Sequence, residues 1–408
     1  MIYDSNGNRI KTSGGIYYNC TEYGVKPSNS DNTLRMQLLI NKVHDSGGGI
    51  IYIPVGEYRF NSANNQQIIT GEAVTNPKCI LQAKSNVSIL GENMVKTVLK
   101  VYGNTEKGAT LFGYNDYNDP AVPIDGCTYE NFTVDASEAT INTYSSDGKA
   151  FFYQYVTNSV WRDLRLLGTP ATSLGIDYLD NVLIDNVYCY RSGRASTDGS
   201  PGGAGIGIGT GAWEQERFTI CNCVTEECGR FGIFWEDQGL FSNPRKALYS
   251  EGHNIHNCKC YNGRADGLGI RGGCYGKISD CVSYNNAYNG LMIDYQAKEC
   301  LITNNIFAEN GKSGIAFEST NIGLYPFTNL NFSLIGNVCT GNVYGIKVEH
   351  QTTGLALLEN RIQRNTTSDI RFSNKQYDVI AKNNIYDSVD KTSVAWNGDN
   401  SRCEMYTG

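Results

Sequence analysis

DGLGIRGGCYGKISDCVSYNNAYNGLMIDYQAKECLITNNIFAENGKSGIAFES, the stretch from Asp266 to Ser319, decides the fold. Three times within it a glycine leads a short apolar-alternating run, as GLGIRG, GLMIDY and GIAFES. Such self-similarity predicts a repeat architecture, in which each unit buries its apolar face against the next unit. One charged residue stands at the matching position of each run, namely Arg271, Asp294 and Glu318.

The repeat extends in both directions from this stretch. An Asn or Asp precedes each apolar-alternating run at Asn131, Asp163, Asn186, Asn222, Asn257, Asp280, Asn305, Asn337, Asn360 and Asn384. A second Asn follows five positions later at Asn262, Asn285, Asn310, Asn342 and Asn365. Asn tolerates left-handed turns, and its amide can stack on the next coil. A basic interval of roughly 23 to 25 residues fits a coil of three short strands, which predicts an all-β, three-strand parallel solenoid of about ten or more coils.

Composition agrees with a turn-rich β protein. The 408 residues include 45 Gly and 27 Tyr, and 18% are charged, which argues against a helical bundle. The net charge of −7 gives no basic footprint, so nucleic acid is not expected as a partner. No apolar run reaches membrane-spanning length and no signal peptide is recognised in this chain, so no membrane partner is expected.

The 14 cysteines are expected to be reduced and buried. The spacings in Cys221-Asn222-Cys223 and Cys258-Lys259-Cys260 are not those of a zinc site. Buried free thiols behave as small apolar side chains, so these cysteines are predicted to pack in the core.

The N-terminal block is predicted to contain the one short helix. Asp31 caps a helix over Thr33 to His44, which ends before Gly47-Gly48-Gly49, and a strand follows over Ile50 to Tyr58. The apolar face of the helix is predicted to contain Leu34, Leu38 and Val43.

This block resembles the N-terminal segment of pectin-lyase-like right-handed parallel β-helices. The resemblance is carried by Glu22-Tyr23-Gly24, Asp31-Asn32-Thr33, the helix, the three glycines and Ile53-Pro54-Val55-Gly56-Glu57-Tyr58. That superfamily includes polysaccharide lyases, glycoside hydrolases, mannuronan epimerases and phage tailspikes. The resemblance implies a right-handed coil whose first edge is covered by the helix, since an open edge invites pairing. We therefore expect a cap over 1–60, a parallel β-helix over 61–390 and a tail over 391–408.

Aligning the runs on the Gly-apolar step predicts two inward columns and one outward column. The inward columns are Ile233, Leu268, Leu291, Ile315 and Ile346, and Trp235, Ile270, Ile293, Phe317 and Val348. The outward column reads Glu236, Arg271, Asp294, Glu318 and Glu349. Like charges that face each other are destabilising, so stability alone would not select this column. The alternative is an ordinary solvated face whose ion pairs contribute little.

The outward column predicts a carbohydrate-active site. Carboxylates on adjacent coils lie about 5 Å apart and those two coils apart about 10 Å, which brackets the separations of retaining and inverting glycosidases. Asp294, Glu318 and Glu236 are the predicted acid, base or cation ligands, and Arg271 is the predicted charge stabiliser or base. Calcium is the one cofactor that such a cluster suggests, and no other metal site is predicted.

Substrate binding is predicted for residues beside this column. They are Asp177, Asp237, Tyr295, Trp213, Glu349 and His350. Inserted loops over 191–204, after Glu236 and after Glu318 are expected to form the walls of the groove, since loops carry the binding face of a solenoid.

Two local motifs are compared with the mannuronan C5-epimerase module. Asp266-Gly267-Leu268 and Val282-Ser283-Tyr284-Asn285-Asn286 are similar to it, but its catalytic Asp would fall at Arg271. Its Asp-Pro-His-Glu motif would fall at Phe234-Trp235-Glu236-Asp237, which does not match. The resemblance thus supports the fold and weighs against C5-epimerase chemistry.

Three functions follow from these patterns. The first is a polysaccharide-degrading hydrolase or lyase that acts in a groove on the flank of the β-helix. The alternative is a non-catalytic glycan-binding tailspike or adhesion protein, which implies a homotrimer. A uronate C5-epimerase ranks third. Polysaccharide is the expected partner in each case, and virion-associated and extracellular locations both fit.

Overall fold

The computed structural model describes residues 16–63, 79–114, 121–145, 147–196, 203–211, 216–238, 252–294, 297–318, 329–349, 352–373, 376–390 and 404–405. Contacts divide the chain into two compact units, 1–203 and 204–408. Parallel strands dominate both units. Within the described ranges, no helix is long and apolar enough to cross a membrane.

The first unit contains one α-helix and eleven strands. They are α1 (Thr33–Asp45), β1 (Tyr17–Asn19), β2 (Gly49–Ile53), β3 (Gly56–Asn61), β4 (Cys79–Gln82), β5 (Val87–Gly91), β6 (Thr97–Thr105), β7 (Thr110–Tyr114), β8 (Ile124–Asp125), β9 (Thr128–Ile141), β10 (Phe151–Leu167) and β11 (Leu174–Tyr190). A short 3₁₀ turn, Cys20–Tyr23, follows β1.

In the second unit the described secondary-structure elements are all strands. They are β12 (Ile206–Thr210), β13 (Phe218–Cys221), β14 (Val224–Glu226), β15 (Phe231–Asp237), β16 (His253–His256), β17 (Lys259–Tyr261), β18 (Asp266–Arg271), β19 (Gly276–Ser279), β20 (Val282–Tyr284), β21 (Leu291–Asp294), β22 (Leu301–Thr303), β23 (Ile306–Ala308), β24 (Ser313–Phe317), β25 (Asn329–Ile335), β26 (Val338–Thr340), β27 (Tyr344–Val348), β28 (Thr352–Leu358), β29 (Arg361–Gln363), β30 (Ser368–Phe372), β31 (Gln376–Tyr377), β32 (Ile380–Lys382), β33 (Ile385–Tyr386), β34 (Val389–Asp390) and β35 (Glu404–Met405).

Helix α1 lies where the sequence predicts it, but it buries a different face. Oδ1 of Asp31 accepts the backbone N–H of Thr33 at 3.1 Å, which satisfies one of the free donors of the first turn. Leu34 and Leu38 are 50% and 58% exposed, so their predicted burial is wrong. The buried residues are Met36, Leu39, Ile40 and Val43, which recur at the three- and four-residue spacing of one helix face.

The strand predicted over Ile50 to Tyr58 is two strands, β2 and β3. Pro54 lies between them and has no N–H to donate to a ladder, so the chain bends there. Strand β2 pairs in parallel with β5, and β3 pairs in parallel with β6. The two strands thus pair with different strands of the next coil.

An aromatic cluster forms the core of the first unit. Tyr129, Phe151 and Trp161 are at most 2% exposed. The ring centroid of Tyr129 lies 5.0 Å from that of Phe151 and 5.5 Å from that of Trp161. Aromatic pairs at such distances add stability beyond the area that they bury.

Each complete coil of the second unit has three strands. Strand β15 pairs with β18, β18 with β21, β21 with β24 and β24 with β27, and the other two strands of each coil pair in the same way. The ten residues of the two predicted inward columns are 0% or 1% exposed, and their register is the predicted one. The predicted three-strand parallel β-helix is therefore confirmed.

Close packing of coils explains the glycine that leads each repeat. A Cβ on Gly290 would lie 2.7 Å from the carbonyl oxygen of Gly314, and one on Gly314 would lie 2.7 Å from that of Gly345. Gly232 and Gly267 have the same relation to the coil that follows them, at 2.6 and 3.0 Å. Any side chain at these positions would push neighbouring coils apart.

The predicted turn ladder changes register by one residue after Asp280. Asn222, Asn257 and Asp280 have positive φ, but at the corresponding turn of the next coil the residue with positive φ is Asn304 rather than Asn305. Asn305 instead belongs to a buried ladder with Asn337, Asn360 and Asn384, in which each Oδ1 accepts the backbone N–H of the residue one coil earlier. The second predicted ladder shifts in the same way, because Asn286 rather than Asn285 lies in line with Asn310.

Thiols continue the buried ladder toward the N-terminus. Cys281 donates its backbone N–H to Oδ1 of Asn305 at 2.9 Å, and Cys258 donates its own to Sγ of Cys281 at 3.5 Å. A soft thiol acceptor thus occupies the position of an amide. All thirteen cysteines in the described ranges are free and buried, as predicted, whereas Cys403 lies outside those ranges.

Candidate functional site

The outward column has the predicted register. Glu236 pairs with Arg271 on the neighbouring strand, and Arg271 pairs with Asp294. Glu318 and Glu349 extend the column, because the backbone N–H of Glu318 donates to the oxygen of Ile293 and that of Glu349 to the oxygen of Phe317. Asp294 is only 2% exposed, so other groups cover it. The chemical roles assigned to this column remain predictions.

Arg271 is held between an acid and an aromatic ring. Its Nη1 lies 3.3 Å from Oε1 of Glu236, and its guanidinium carbon lies 5.4 Å from the ring centroid of Phe234. Phe234 stacks on Phe231 with centroids 4.3 Å apart. Both rings occupy the space above Gly269, where a Cβ would lie 2.8 to 2.9 Å from them. This packing fixes the guanidinium on the outer face of the sheet.

A pocket of about 200 Å³ opens farther along the same face. Its charged lining residues are Glu318, Glu349, Lys312 and Lys347, and Tyr344 lies among them. Lys347 forms an ion pair with Glu349. The hydroxyl oxygen of Tyr344 accepts a hydrogen bond of 2.7 Å from Nη1 of Arg371. The pocket thus combines carboxylates, ammonium groups and an oriented phenol.

One amide joins two carboxyl groups at the edge of this pocket. Nδ2 of Asn289 lies 2.8 Å from Oδ1 of Asp266 and 2.8 Å from Oε1 of Glu318. The backbone N–H of Asn289 also donates to Oδ1 of Asp266, at 2.9 Å. Asp266 is 7% exposed and Asn289 is 1% exposed. The two carboxyl groups therefore share one buried donor.

Burial raises the pKa of Asp266 to about 7, and the neighbouring charge of Glu318 adds to the rise. The hydrogen bonds from Asn289 and the positive charge of Lys312 oppose it. Desolvation disfavours a carboxylate and an adjacent negative charge disfavours it further. Asp266 therefore keeps its proton at pH values at which an ordinary carboxyl group has lost it.

Sequence reasoning missed Asp266, Asn289, Lys312, Tyr344 and Lys347 as site residues. Three of them carry a signal that could have been read, because Asp266, Asn289 and Tyr344 directly precede a repeat glycine. Ser313 precedes Gly314 in the same way, and its backbone N–H donates to Oδ1 of Asn289 at 3.1 Å. The residues before the repeat glycines thus form a second column of polar side chains beside the outward one.

The other predicted site residues are not gathered at this pocket. Asp177 belongs to the first unit, where Nε2 of Gln154 donates to its Oδ2 at 3.2 Å. Asp237 ends β15 and is 2% exposed. Trp213, Tyr295 and His350 lie outside the described residues, as do most of the loops predicted to form the groove walls.

The described carboxylates do not suit calcium. Arg271 separates Glu236 from Asp294 in the column, and the NH₂ group of Asn289 occupies the position between Asp266 and Glu318 where a cation would bind. Calcium needs six to eight oxygen ligands. Within the described ranges, no three His, Cys, Asp or Glu side chains are grouped so that they could hold a metal ion.

Two sequence comparisons each cover part of the chain. Residues 246–357 match the family model described as a right handed beta helix region. Mannuronan C5-epimerase AlgE1 of Azotobacter vinelandii is 34% identical over 94 residues, which are 23% of this chain and 6% of that protein. The chain therefore matches only a small part of this relative.

Solved structures with similar folds cover most of the chain. The A-module of mannuronan C-5 epimerase AlgE6 from Azotobacter vinelandii gives a TM-score of 0.64 at 16% identity, over 91% of this chain and 99% of the module. The Streptococcus pneumoniae surface adhesin PfbA gives 0.62 at 14% identity, over 93% of each chain. ORF18 of Geobacillus virus E2 gives 0.61 at 14% identity, over 85% of this chain and 60% of that protein. The chain is thus a right-handed parallel β-helix, with the fold that these three proteins share.

Proposed function

We propose that this protein cleaves a polysaccharide as a retaining glycoside hydrolase, with Asp266 as general acid and Glu318 as nucleophile. The observation that carries the proposal is the shared donor of Asn289, 2.8 Å from an oxygen of each carboxyl group. Two amide hydrogens 120° apart place these oxygens about 4.8 Å from each other. Retaining glycosidases hold their carboxyl groups about 5 to 5.5 Å apart, whereas inverting enzymes need a wider gap for water.

The different environments of the two carboxyl groups assign their roles. Asp266 is buried and its pKa is raised to about 7, so it carries the proton. Glu318 lines the open pocket and can reach a bound sugar. Pairs of carboxyl groups whose environments separate their protonation states divide acid and nucleophile roles in this way.

The proposed reaction has two steps. As the bond from the anomeric carbon to the leaving oxygen breaks, the leaving oxygen keeps the electron pair and takes the proton of Asp266, while an oxygen of Glu318 bonds to the anomeric carbon. Asp266, now a carboxylate, then takes a proton from water as the water oxygen attacks the anomeric carbon and releases Glu318. The sum is hydrolysis with retained configuration, and both residues return to their starting states.

The surrounding side chains suit a sugar chain laid across the coils. Phe234 and Arg271 lie on one side of the carboxyl pair, and Lys347 and Arg371 occupy successive coils on the other. Charged and amide groups of this kind donate to sugar hydroxyls, and the cations would favour an acidic glycan. One relative in sequence and one protein of similar fold are mannuronan C5-epimerases, which agrees with such a substrate.

The noncatalytic alternative, a glycan-binding adhesion or virion protein, draws on the similar folds of PfbA and of ORF18. A second catalytic alternative is a lyase, in which an acid and a base act without water. Both make distinct predictions in one assay.

The test uses purified full-length chain with a panel of acidic and neutral polysaccharides. New reducing ends without ultraviolet absorbance from unsaturated ends are expected for hydrolysis, and both signals together would mean elimination. Binding without either signal would overturn the enzyme proposal. Asp266→Asn and Glu318→Gln should each lower the rate at least about 100-fold. Asp280→Asn is the matched control, because Asp280 is exposed and its φ of 57° suits Asn, so its activity should equal that of the wild type.

A further inference from the structure

We infer that Asn289 is a positioning residue, which directs the proton of neutral Asp266 to Oδ2 and holds Glu318 beside it. The inference rests on the proposed function for its catalytic meaning. Its physical content concerns three side chains and can be measured without any substrate.

The orientation of the Asn289 amide follows from its neighbours. The backbone N–H of Ser313 lies 3.1 Å from the atom assigned as Oδ1, and a backbone N–H can only donate. The oxygen of the amide must therefore face Ser313, and the NH₂ group must face Asp266 and Glu318. A flipped amide would place two donors against each other and an oxygen against two carboxyl groups. The buried position, with 1% exposure, leaves no solvent to compensate for such a flip.

This orientation locates the proton. Oδ1 of Asp266 accepts two N–H groups of Asn289, at 2.8 Å from the side chain and 2.9 Å from the backbone. An oxygen with two donors in its lone-pair directions is the unprotonated oxygen of a carboxylic acid. The proton of neutral Asp266 therefore lies on Oδ2, the oxygen that does not bind the amide. Oδ2 is thus the atom that delivers it.

The charged groups around Asp266 explain why the proton lies on Asp266 rather than on Glu318. Glu318 and Lys312 are the charged groups that act on Asp266 from the neighbouring coils. The negative charge of Glu318 raises the pKa of Asp266 and the positive charge of Lys312 lowers it. Asp266 is the more buried of the two acids, so its ionisation has the larger desolvation cost. Because the Asn289 amide binds both acids, it holds Glu318 beside Asp266, where the negative charge of Glu318 favours the protonated form of Asp266.

A useful consequence follows for the reaction. When Glu318 becomes an ester it loses its negative charge. That charge no longer raises the pKa of Asp266. The pKa of Asp266 therefore falls, so Asp266 stays a carboxylate and is available as the base in the second step. The amide keeps the two groups close enough for this coupling in both steps.

The experiment titrates Asp266 by carbon NMR in full-length protein labelled at the aspartate carboxyl carbons. Asp266→Asn identifies the signal. Glu318→Gln should lower the midpoint of Asp266, because the like charge is removed. Asn289→Ser should raise it by about one pH unit, since a hydrogen bond that favours the carboxylate is lost. The matched control is Asn337→Ser, which removes a buried ladder amide that binds Asn360 and the backbone instead of an acid; its Asp266 midpoint should not move.

The outcomes separate this inference from the proposed function. If the Asp266 midpoint stays unchanged in both Glu318→Gln and Asn289→Ser, the positioning role is wrong, whatever the activity. If both shifts occur but no glycan is cleaved, the coupling stands and the hydrolase proposal fails. With an active enzyme, the alkaline limb of the pH–rate profile should shift to higher pH in Asn289→Ser, together with the NMR midpoint of Asp266. A uniform loss of rate at every pH would indicate a purely structural role and overturn the inference.

Discussion

Substituting Gly290 by Ala tests whether the repeat glycine is required by the packing of coils. The new Cβ would lie 2.7 Å from the carbonyl oxygen of Gly314, 2.8 Å from Cδ1 of Phe307 and 2.9 Å from Nδ2 of Asn310. An ordinary contact begins at 3.4 Å, so the neighbouring backbone must move by about 0.7 Å. Phe307 and Asn310 are buried and Asn310 is fixed in its ladder, so neither can yield easily.

The expected cost is about 3 kcal/mol of unfolding free energy, at the upper end of the usual range for overpacking. Urea unfolding followed by circular dichroism, with linear extrapolation to water, measures it. The displacement would also lengthen the bond from Ser313 to Asn289, because Ser313 precedes Gly314. Any glycan cleavage should therefore fall more in Gly290→Ala than its loss of stability alone explains.

Gly47→Ala is the comparison variant. No atom lies within 4 Å of its added Cβ, but its φ of +91° disfavours alanine. A cost of about 1 kcal/mol is expected there from the backbone alone. Equal costs for the two variants, or a cost below about 1 kcal/mol for Gly290→Ala, would refute the steric explanation of the repeat.

Three further predictions concern Asp266, Gly269 and the cysteines. Asp266→Asn should gain melting temperature relative to wild type as the pH rises from the ordinary carboxyl pKa, 3.8, to about 7. Because the folded-state pKa of Asp266 is raised to about 7, its contribution to stability is complete below the ordinary carboxyl pKa and is lost as the pH rises to 7; a difference that does not change with pH would contradict this. Gly269→Ala should cost about 1 to 3 kcal/mol of unfolding free energy, because its Cβ would lie 2.8 Å from the buried ring of Phe231 and 2.9 Å from that of Phe234, and it should also weaken glycan binding about tenfold by displacing Arg271; urea unfolding and binding isotherms measure the two effects, and unchanged affinity would argue against a role for Arg271. The thirteen described cysteines should react with a thiol reagent only after unfolding, since they are buried and burial raises the pKa of Cys300, for example, to about 12; rapid reaction of several thiols in the native protein would disprove it.

The sequence predicted the coils well because each coil repeats the same physical problem. An apolar residue at every second position must face the interior, so Leu268 and Ile270 predict their neighbours Leu291 and Ile293. The register of the outward column follows from the same alternation, so the sequence predicts the pairing of Glu236, Arg271 and Asp294 correctly. The division of the chain into 1–60, 61–390 and 391–408 stays a prediction.

Turns were harder to predict than strands. Asn occurs both at exposed positions with positive φ and at buried positions where it binds the next coil, and these positions are adjacent in sequence. Asn304 and Asn305 are one of each kind, so a pattern of Asn alone cannot distinguish them. The cysteines indicate which position of the turn is buried. Cys281 directly follows Asp280 and occupies the buried position that Asn305 takes one coil later.

The carboxyl pair could not be found from the outward column alone. Glu318 belongs to that column. Its hydrogen-bond partner Asn289 does not, because Asn289 lies one coil earlier and directly precedes a repeat glycine. The raised pKa of Asp266 depends on burial and on the charge of a residue far along the chain, and neither is visible in a local motif.

The position before the repeat glycine shows why chemistry can reside there. At the glycine itself the carbonyl of the next coil excludes every side chain, so the coils repeat one residue. At the position before it the coils carry Asp266, Asn289, Ser313 and Tyr344, which differ in charge, size and hydrogen bonding. The fold thus fixes the backbone at this column without fixing the side chain. An acid, an amide and a phenol can therefore lie on consecutive or nearby coils, at a spacing of about 4.8 Å that is set by strand pairing. A site built in this way should lose its chemistry on substitution of these residues while the glycine and inward columns keep the coils in place.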